Sequence, residues 1–346
     1  MIKNEILLIC VISAISAFTT SFIIITGLRR WLGNRLLDIP NVRSSHFYPI
    51  PRGGGIAIVI VTLAGSWLIL PFVRSDVTAW QWLVFTIGAL LIAGVSWLDD
   101  LRSLSTRVRF AVHLAGAVLA VLAFGAWKEI TLPGLGNVNL GLLGWPLTLV
   151  WIVGLTNAYN FMDGIDGIAG GLAVVAGLGW VIMGIIGSNP LLCIVGILLF
   201  ASSAGFLGHN WPPAKMFMGD VGSAFLGYTF AVLPVIAARG DARFMLVGIL
   251  LVWPFVFDTV FTFLRRLRKR ENVFTAHRSH LYQRLVISGL SHQTVALLYV
   301  ALALIGVVLA AAYVLDWRHI GIAALVMLII AAIGLCFLTV RRARMC

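Results

Sequence analysis

Residues 157–171 read NAYNFMDGIDGIAGG and lie where two apolar runs meet, the first ending at residue 160 and the second beginning at residue 168. Polar side chains recur in this stretch at every third position, as Asn157, Asn160, Asp163 and Asp166. A spacing of three places side chains close to one face of a helix. Carboxylates and amides at the end of an apolar helix are costly to bury, so they need either partners or a function.

Oxygen-rich side chains of this kind suit a hard cation such as Mg²⁺. The glycines of the same stretch allow the backbone to turn and to approach a ligand closely. The alternative interpretation is a polar helix end that caps the helix and enters water. The stretch alone leaves both interpretations open, and polar groups elsewhere in the chain shift the balance between them.

The composition predicts an integral membrane protein. Of the 346 residues, 60% are hydrophobic and 11% are charged, whereas about 25% of the residues of a soluble domain are charged. Apolar runs of about 20 residues recur along the chain, so we expect an all-α, polytopic membrane helix bundle of about eleven transmembrane helices in a single domain, residues 1–346. The predicted spans are residues 6–28, 55–73, 80–98, 108–126, 143–160, 168–187, 190–208, 221–238, 244–264, 293–315 and 319–340.

Three other features of the composition exclude competing classes. The first apolar run is too long for a signal peptide and its basic residues follow it, so we interpret it as a retained span. The cysteines, Cys10, Cys193, Cys336 and Cys346, have no spacing typical of a disulfide framework or a zinc site. The net charge of +12 lies in short loops between apolar runs, which argues against nucleic-acid binding.

The distribution of basic residues predicts the orientation of the chain. With the N-terminus periplasmic and the C-terminus cytoplasmic, 19 of the 25 lysines and arginines lie on the cytoplasmic side, which agrees with the positive-inside rule. We therefore expect a multi-pass membrane protein whose chemically distinctive loops lie on the cytoplasmic face. These loops are predicted near residues 29–54, 99–107, 161–167, 209–220 and 265–292 and are called the first to fifth loops in this order.

Two acidic sites in these loops have competing interpretations. Asp99 and Asp100 are adjacent carboxylates, which repel each other unless a cation or a proton offsets the repulsion, and the alternative is a solvated turn. The arginines that follow, including Arg109, suit a diphosphate because guanidinium matches phosphate geometry. Asp220 begins a span, where it serves either a bound ligand or the helix dipole as a cap.

Three further side chains are ambiguous in the same way. Phe217 either stacks on a nucleobase or anchors the chain at the membrane interface, as aromatic residues often do. His280 lies in a basic loop, where a histidine binds phosphate, relays a proton or does neither. Asp258 lies near the inner end of the ninth predicted span and either pairs with a neighbouring helix or serves the site.

Taken together, these motifs closely resemble those of the polyprenyl-phosphate N-acetylhexosamine-1-phosphate transferases. That family includes the phospho-MurNAc-pentapeptide translocase and the enzymes that begin O-antigen and teichoic-acid synthesis. The resemblance extends from Pro40 to Arg284 and includes the order of the spans. It implies catalytic roles for Asp99, Asp100, Asp163 and His280, substrate binding by Asn157, Asp166, Asn210, Phe217, Arg109 and His46, and metal binding by Asp220 and Asn160.

The resemblance also implies the reaction. An N-acetylated amino-sugar 1-phosphate would pass from a UDP-N-acetylhexosamine donor to undecaprenyl phosphate, with release of UMP and with Mg²⁺, or Mn²⁺, as the cofactor. The partners would be these substrates and the membrane lipid, with no nucleic acid and with a homodimer left open. The resemblance places the protein in a bacterial inner membrane, with its active site on the cytoplasmic face. Direct transfer and a covalent aspartyl intermediate are both open, and either Asp99 or Asp100 would remove a residual proton.

Ser103, Tyr282 and Gln283 depart from the family pattern, because many members have an acid or a lysine at the first position and histidines at the other two. These departures resemble the branch that starts O-antigen chains with deoxy-amino sugars such as N-acetylfucosamine. The alternatives are plain N-acetylglucosamine 1-phosphate transfer, of common-antigen or teichoic-acid type, and, from another class, a membrane transporter. A transporter tends to place ionisable residues near the bilayer midplane, whereas most acids here lie at inner ends.

Overall fold

The computed structural model describes residues 2–33, 36–40, 48–73, 75–272, 277–315 and 320–343. The helices are α1 (Ile2–Leu32), α2 (Gly55–Ile69), α3 (Ala79–Arg102), α4 (Thr106–Phe124), α5 (Gly144–Met162), α6 (Ile168–Ile186), α7 (Pro190–Asn210), α8 (Asp220–Ala237), α9 (Arg243–Leu251), α10 (Trp253–Arg268), α11 (Leu281–Ile287), α12 (His292–Val314) and α13 (Ile320–Ala343). Two antiparallel hairpins pair β1 (Leu37–Asp38) with β2 (Ile50–Pro51) and β3 (Glu129–Leu132) with β4 (Gly136–Asn139).

The hydropathy of the helices confirms a membrane bundle. Within the described ranges, nine helices are long and apolar enough to cross a membrane, namely α1 to α8 and α12. The pair α9 and α10 passes the same test only together, and α13 is a helix of 24 residues at the position of the last predicted span. Each predicted span therefore coincides with helix, and the all-α polytopic prediction is confirmed. The orientation of the termini stays a prediction.

The predicted ninth span, residues 244–264, is wrong as a continuous helix. α9 ends at Leu251, and α10 begins at Trp253 with a bend of 79° between the two helices. Pro254 lies in the first turn of α10, where its missing N–H is tolerated, whereas the same proline would interrupt a continuous helix. Hydropathy carries no information on direction, so the unbroken apolar run did not reveal this bend.

α8 is the central helix of the bundle. In its most apolar stretch of 18 residues, 94% of the residues are buried, against 17% in the corresponding stretch of the peripheral α1. Glycines permit a close contact between α8 and α2, because a Cβ on Gly55 would overlap the Cα of Gly222. Membrane helices commonly approach each other through such small residues. The first residue of α8, Asp220, consequently lies among the ends of other helices.

Alternating helix directions bring the predicted site loops to one side of the bundle. The ends of α3, α5 and α7 lie on the side where α4, α6 and α8 begin, and residues of the connecting loops are hydrogen-bonded to one another. The β3–β4 hairpin connects α4 to α5 at their other ends. Tyr313 of α12 fixes this hairpin, because its Oη donates to the backbone oxygen of Thr131 over 2.6 Å.

Candidate active site

Asp100 caps the N-terminus of α8. Its two carboxylate oxygens accept hydrogen bonds from the backbone N–H groups of Asp220 and Val221, both over 3.2 Å. A carboxylate in this position satisfies otherwise unpaired helix donors and interacts favourably with the helix dipole. Gly219 has a φ of +76°, and a Cβ there would lie 2.7 Å from the Asp100 carboxylate. The glycine therefore makes room for the cap.

Arg52 holds the same aspartate from the first loop. Its guanidinium donates to the backbone oxygen of Asp100, and its Nη1 lies 3.8 Å from Oδ1 of that residue. The backbone beside Arg52 pairs with the fourth loop, because the N–H of Phe217 donates to Pro51 over 2.8 Å and Gly54 donates back to Phe217 over 2.9 Å. Nothing in its spacing distinguishes Arg52 from the other loop arginines, so the sequence did not single it out.

Arg109 connects two of the predicted site carboxylates. Its Nη1 donates to Oδ2 of Asp99 over 2.9 Å and lies 3.6 Å from Oδ2 of Asp220. The other oxygen of Asp99 accepts the backbone N–H of Leu104. The structure therefore brings together the end of α3, the first turns of α4 and the start of α8, as the sequence predicted for these three side chains.

Asn160 and Asp163 add a fourth segment to this cluster from the end of α5. The amide of Asn160 donates to Oγ of Ser223 over 3.1 Å, and its side chain interacts with the Asp220 carboxylate. The pKa of Asp163 is raised from 3.8 to about 8, mainly by burial and in addition by the negative charges of Asp220, Asp100 and Asp166. The cluster thus carries more negative charge than its arginines compensate.

Asp166 and Asn210 connect loops to each other. The Asn210 amide accepts the N–H of Gly167 over 2.9 Å and donates to the backbone oxygen of Met216 over 3.0 Å. Oδ2 of Asp166 accepts the N–H of Ala214 over 3.0 Å. Both side chains are buried. Their predicted substrate contacts would have to compete with these internal hydrogen bonds, so the geometry supports a role in shaping the third and fourth loops.

His292 is a neighbour of Asp166 that the sequence did not distinguish. Its Nδ1 lies 3.4 Å from Oδ2 of Asp166. His292 begins α12 and follows the N-cap Ser291. Asp166 therefore connects the third loop both to the fourth loop and to the start of α12. No local sequence motif predicts this second contact.

His280 is buried beside Asp258, away from the position expected for a phosphate ligand in an open loop. Its Nδ1 lies 3.2 Å from Oδ1 of Asp258. The same fully buried carboxylate accepts the N–H groups of Leu281 and Tyr282 over 2.8 and 3.0 Å, and the Oη of Tyr299. This network attaches the start of α11 to α10 and α12. Of the two sequence interpretations of Asp258, pairing with neighbouring elements is the one that the contacts support.

His46 and Asn157 are the two remaining residues that were predicted to bind substrate. His46 lies outside the described residues. Asn157 is partly buried in α5, and its Nδ2 donates to the backbone oxygen of Val153 over 2.7 Å. Its side chain also interacts with His113 of α4, a histidine in the middle of an apolar run that the sequence did not mark.

The donor set of the cluster fits Mg²⁺ if a substrate completes the coordination. Within the described residues, no three Asp, Glu, His or Cys side chains form a complete metal site. The side chain of Asp220 is 35% exposed, against 8% for Asp99 and 2% for Asp100, so Asp220 is the carboxylate of the three most open to a ligand. Mg²⁺ in phosphate-processing sites typically uses one or two carboxylates together with water and substrate phosphates.

The fold and this cluster define a multi-pass membrane enzyme suited to phosphate chemistry. The family model described as Glycosyl transferase family 4 matches residues 82–238. A probable undecaprenyl-phosphate N-acetylglucosaminyl 1-phosphate transferase of Bacillus subtilis is 33% identical over 298 residues, 85% of this chain and 81% of the relative. The chain therefore belongs to the polyprenyl-phosphate N-acetylhexosamine-1-phosphate transferase family, and it is a sugar-phosphate transferase.

Two other relatives extend the comparison. A decaprenyl-phosphate N-acetylglucosaminephosphotransferase of Mycobacterium leprae is 32% identical over 305 residues, 79% of this chain and 76% of the relative. A phospho-N-acetylmuramoyl-pentapeptide-transferase of a Synechococcus species is 32% identical over 255 residues, 69% of this chain and 71% of the relative. Membership of this family confirms the predicted enzyme class, and it leaves no support for the transporter alternative.

Proposed function

We propose that this chain transfers an N-acetylated amino-sugar 1-phosphate from a UDP-sugar to undecaprenyl phosphate, releasing UMP at the cytoplasmic face of a bacterial inner membrane. The observation that supports this best is the setting of Asp220, an accessible carboxylate at a helix end with Asn160 and Arg109 beside it. Relatives named for undecaprenyl and decaprenyl phosphate support the lipid acceptor.

Asp220 and Asn160 are the residues that would hold Mg²⁺, or Mn²⁺. When bound, the ion would neutralise negative charge on the donor diphosphate, which is the main requirement of phosphoryl transfer. The raised pKa of Asp163 supports this assignment, because it reflects burial and uncompensated negative charge that a cation would offset. Asp100 would act indirectly, by fixing the first turn of α8 and hence the position of Asp220.

Arg52 and Arg109 have donors to spare for phosphate oxygens. Within the described residues, the Nε of each is buried and has no hydrogen-bond partner. Guanidinium groups bind phosphate through several donors at once. In the proposed reaction a lipid phosphate oxygen forms a bond to the sugar-bearing phosphorus, and the bond from that phosphorus to the oxygen retained by UMP breaks. The two arginines would hold the phosphate oxygens during this displacement.

The fifth loop supports a deoxy-amino sugar such as N-acetylfucosamine, and hence a role at the start of O-antigen synthesis. Tyr282 and Gln283 replace histidines found in many members of the family. Tyr282 donates its Oη to the backbone oxygen of Phe161 over 3.0 Å, and Gln283 donates to that Oη over 3.1 Å. These side chains link the fifth loop to the third, so the substitutions lie close to the acidic cluster. Plain N-acetylglucosamine is the second candidate, supported by the names of two relatives.

UMP release tests the proposal directly. Purified protein would be incubated with undecaprenyl phosphate, Mg²⁺ and, in turn, UDP-N-acetylglucosamine, UDP-N-acetylgalactosamine and UDP-N-acetylfucosamine. We expect UMP release that requires the lipid and is abolished by a chelator, with the fastest rate for the 6-deoxy sugar. A faster rate with UDP-N-acetylglucosamine would favour the second candidate. No UMP release with any donor would contradict the proposed reaction.

A further inference from the structure

Ser223 connects the two residues that would hold the cation. It lies on α8 three residues after Asp220, so the two side chains lie on neighbouring turns of one helix face. The side chain of Ser223 is buried, and its Oγ accepts a hydrogen bond from Nδ2 of Asn160, at the end of α5, over 3.1 Å. The same Asn160 side chain interacts with the Asp220 carboxylate. One serine thus fixes how the amide of Asn160 lies beside Asp220.

The hydroxyl of Ser223 determines which end of the Asn160 amide it meets. A hydroxyl has one proton to donate and lone pairs with which to accept. Oγ of Ser223 lies 3.2 Å from the backbone oxygen of Gly219 and 3.5 Å from that of Asp220, and a backbone oxygen can only accept. Because the hydroxyl proton is directed to the helix backbone, Oγ offers Asn160 a lone pair. Only the nitrogen end of the amide can donate to it, so the nitrogen faces Ser223.

The oxygen end of the Asn160 amide is consequently the end left for a ligand. Among the described residues, no donor is hydrogen-bonded to Oδ1 of Asn160, and this residue is only partly buried. An amide oxygen is a hard ligand of the kind that Mg²⁺ can bind. If the amide turned over, its N–H groups would face the cation instead, and they have no lone pair with which to bind it. The cation affinity of the site therefore depends on the orientation of this amide.

Ser66 of α2 shows the same division of roles at a place remote from the acidic cluster. Its Oγ donates to the backbone oxygen of Leu63 over 2.7 Å and accepts from Nε1 of Trp82 over 3.2 Å. Because an indole nitrogen can only donate, the direction of this second hydrogen bond is unambiguous. A buried serine whose proton is directed to its own helix therefore holds an N–H group of a neighbouring helix, as Ser223 does for Asn160.

We propose that Ser223 is a positioning residue that presents the oxygen of the Asn160 amide to the divalent cation, an inference that rests on the proposed function. Ser223 itself does not contact the cation. Without the hydroxyl, the amide nitrogen loses the acceptor that holds it towards α8, and the amide can rotate. Partners of this kind behind a metal ligand typically contribute about 10–100-fold to metal affinity. Loss of the hydroxyl should therefore weaken the cation site, and a higher cation concentration should compensate for that loss.

The test compares wild type, Ser223→Ala and Ser223→Cys, whose thiol is a weak acceptor, with Ser66→Ala as the matched control. The control removes a buried hydrogen bond between helices away from the cluster. UMP release at increasing Mg²⁺ gives kcat and the half-saturating cation concentration, electron paramagnetic resonance gives the affinity for Mn²⁺ in the presence of UDP, and thermal unfolding in detergent checks the fold. For both variants at position 223 we expect cation affinity to fall about 10-fold or more, with kcat at saturating Mg²⁺ close to that of wild type.

Asn160→Asp gives an independent readout of the amide orientation. Both ends of a carboxylate are oxygens, so an aspartate at this position presents an oxygen to the cation whichever way it turns. In the Asn160→Asp background, Ser223→Ala should therefore cause no further loss of Mn²⁺ affinity, whereas in the wild-type background it should cause the full loss.

Four results would overturn the inference. They are wild-type cation affinity in folded Ser223→Ala and Ser223→Cys proteins, an equal loss in Ser66→Ala, an equal further loss in the Asn160→Asp background, and a loss of kcat that excess Mg²⁺ does not restore. Failure of wild type to release UMP with any donor would instead contradict the proposed function, and the Mn²⁺ titrations would still decide the role of Ser223.

Discussion

Asp99 and Asp100 are adjacent in the chain, but their carboxylates have different partners. Asp100 is almost fully buried and caps α8, whereas Asp99 faces Arg109 beside the more open Asp220. Successive residues at the end of a helix point in different directions, so a pair of identical side chains can serve two purposes. The distinction decides how substitutions at the two positions should behave.

We expect Asp100→Asn mainly to destabilise the protein and Asp99→Asn mainly to reduce turnover. An asparagine at position 100 can accept only one of the two N–H groups at the start of α8, and loss of a helix cap typically costs about 0.5–2 kcal/mol. The melting temperature in detergent and the rate of UMP release would be measured for both proteins. Equal losses of stability in the two variants would contradict the separate roles.

Asp220→Asn should remove metal-dependent turnover while the protein remains folded. The substitution keeps the size of the side chain and the backbone of α8, but it removes the charge that would hold Mg²⁺. We expect the rate of UMP release to fall by more than about 100-fold, the scale of losing one electrostatic contact to a transition state. Asp241→Asn, an acid paired with Arg243 away from this cluster, is the matched control.

Direct metal binding gives a second readout for Asp220. Titration with Mn²⁺, followed by electron paramagnetic resonance, would compare wild type and both variants in the presence of UDP. Weaker binding only in Asp220→Asn is the expected result. Wild-type affinity in that variant would mean that another group holds the cation.

The sequence was sufficient to predict which polar residues cluster, but not the direction in which each side chain points. The spacing of Asn160 and the acidic pair indicated a cluster, and the structure places these groups around Asp220. The side-chain direction of Asp100 could not be predicted, because it depends on the approach of α8. The contact between His113 of α4 and Asn157 of α5 could not be predicted either, because it depends on how these two helices pack.

At the scale of elements, hydropathy predicted positions well and connections poorly. The predicted span at residues 168–187 differs from α6 by one residue at its end. The bend between α9 and α10 and the short α11 were not predicted. The bend was missed because hydropathy carries no information on helix direction, and α11 was missed because it depends on distant residues, including the hydrogen bonds that Asp258 accepts from it.

Asp258→Asn should loosen α11 from the bundle. The carboxylate is fully buried and accepts two backbone N–H groups, so an amide at this position would leave at least one buried donor unsatisfied, at about 1–3 kcal/mol. We expect faster tryptic cleavage at Arg278 and Arg284 and a lower rate of UMP release. Thr262→Val, which removes one hydrogen bond to the same carboxylate, is the milder control. Unchanged cleavage would contradict this role of Asp258.

The orientation of the whole molecule is open to a simple experiment. The excess of basic residues on one side predicts a cytoplasmic C-terminus. A C-terminal fusion to green fluorescent protein should therefore fluoresce, and a fusion to alkaline phosphatase at the same position should be inactive. The opposite pair of results would place the acidic cluster in the periplasm, where nucleotide sugars are absent.

The interlocked loops also determine when the site can first exist during biosynthesis. Arg52, Asp100 and Asp220 enter the membrane with three separate helical hairpins, yet the cap on α8 needs all three segments. The ribosome must thus deliver the first 221 of 346 residues before any of this geometry can assemble. A nascent polypeptide released earlier would lack the first turn of α8 and therefore the contacts that assemble this cluster.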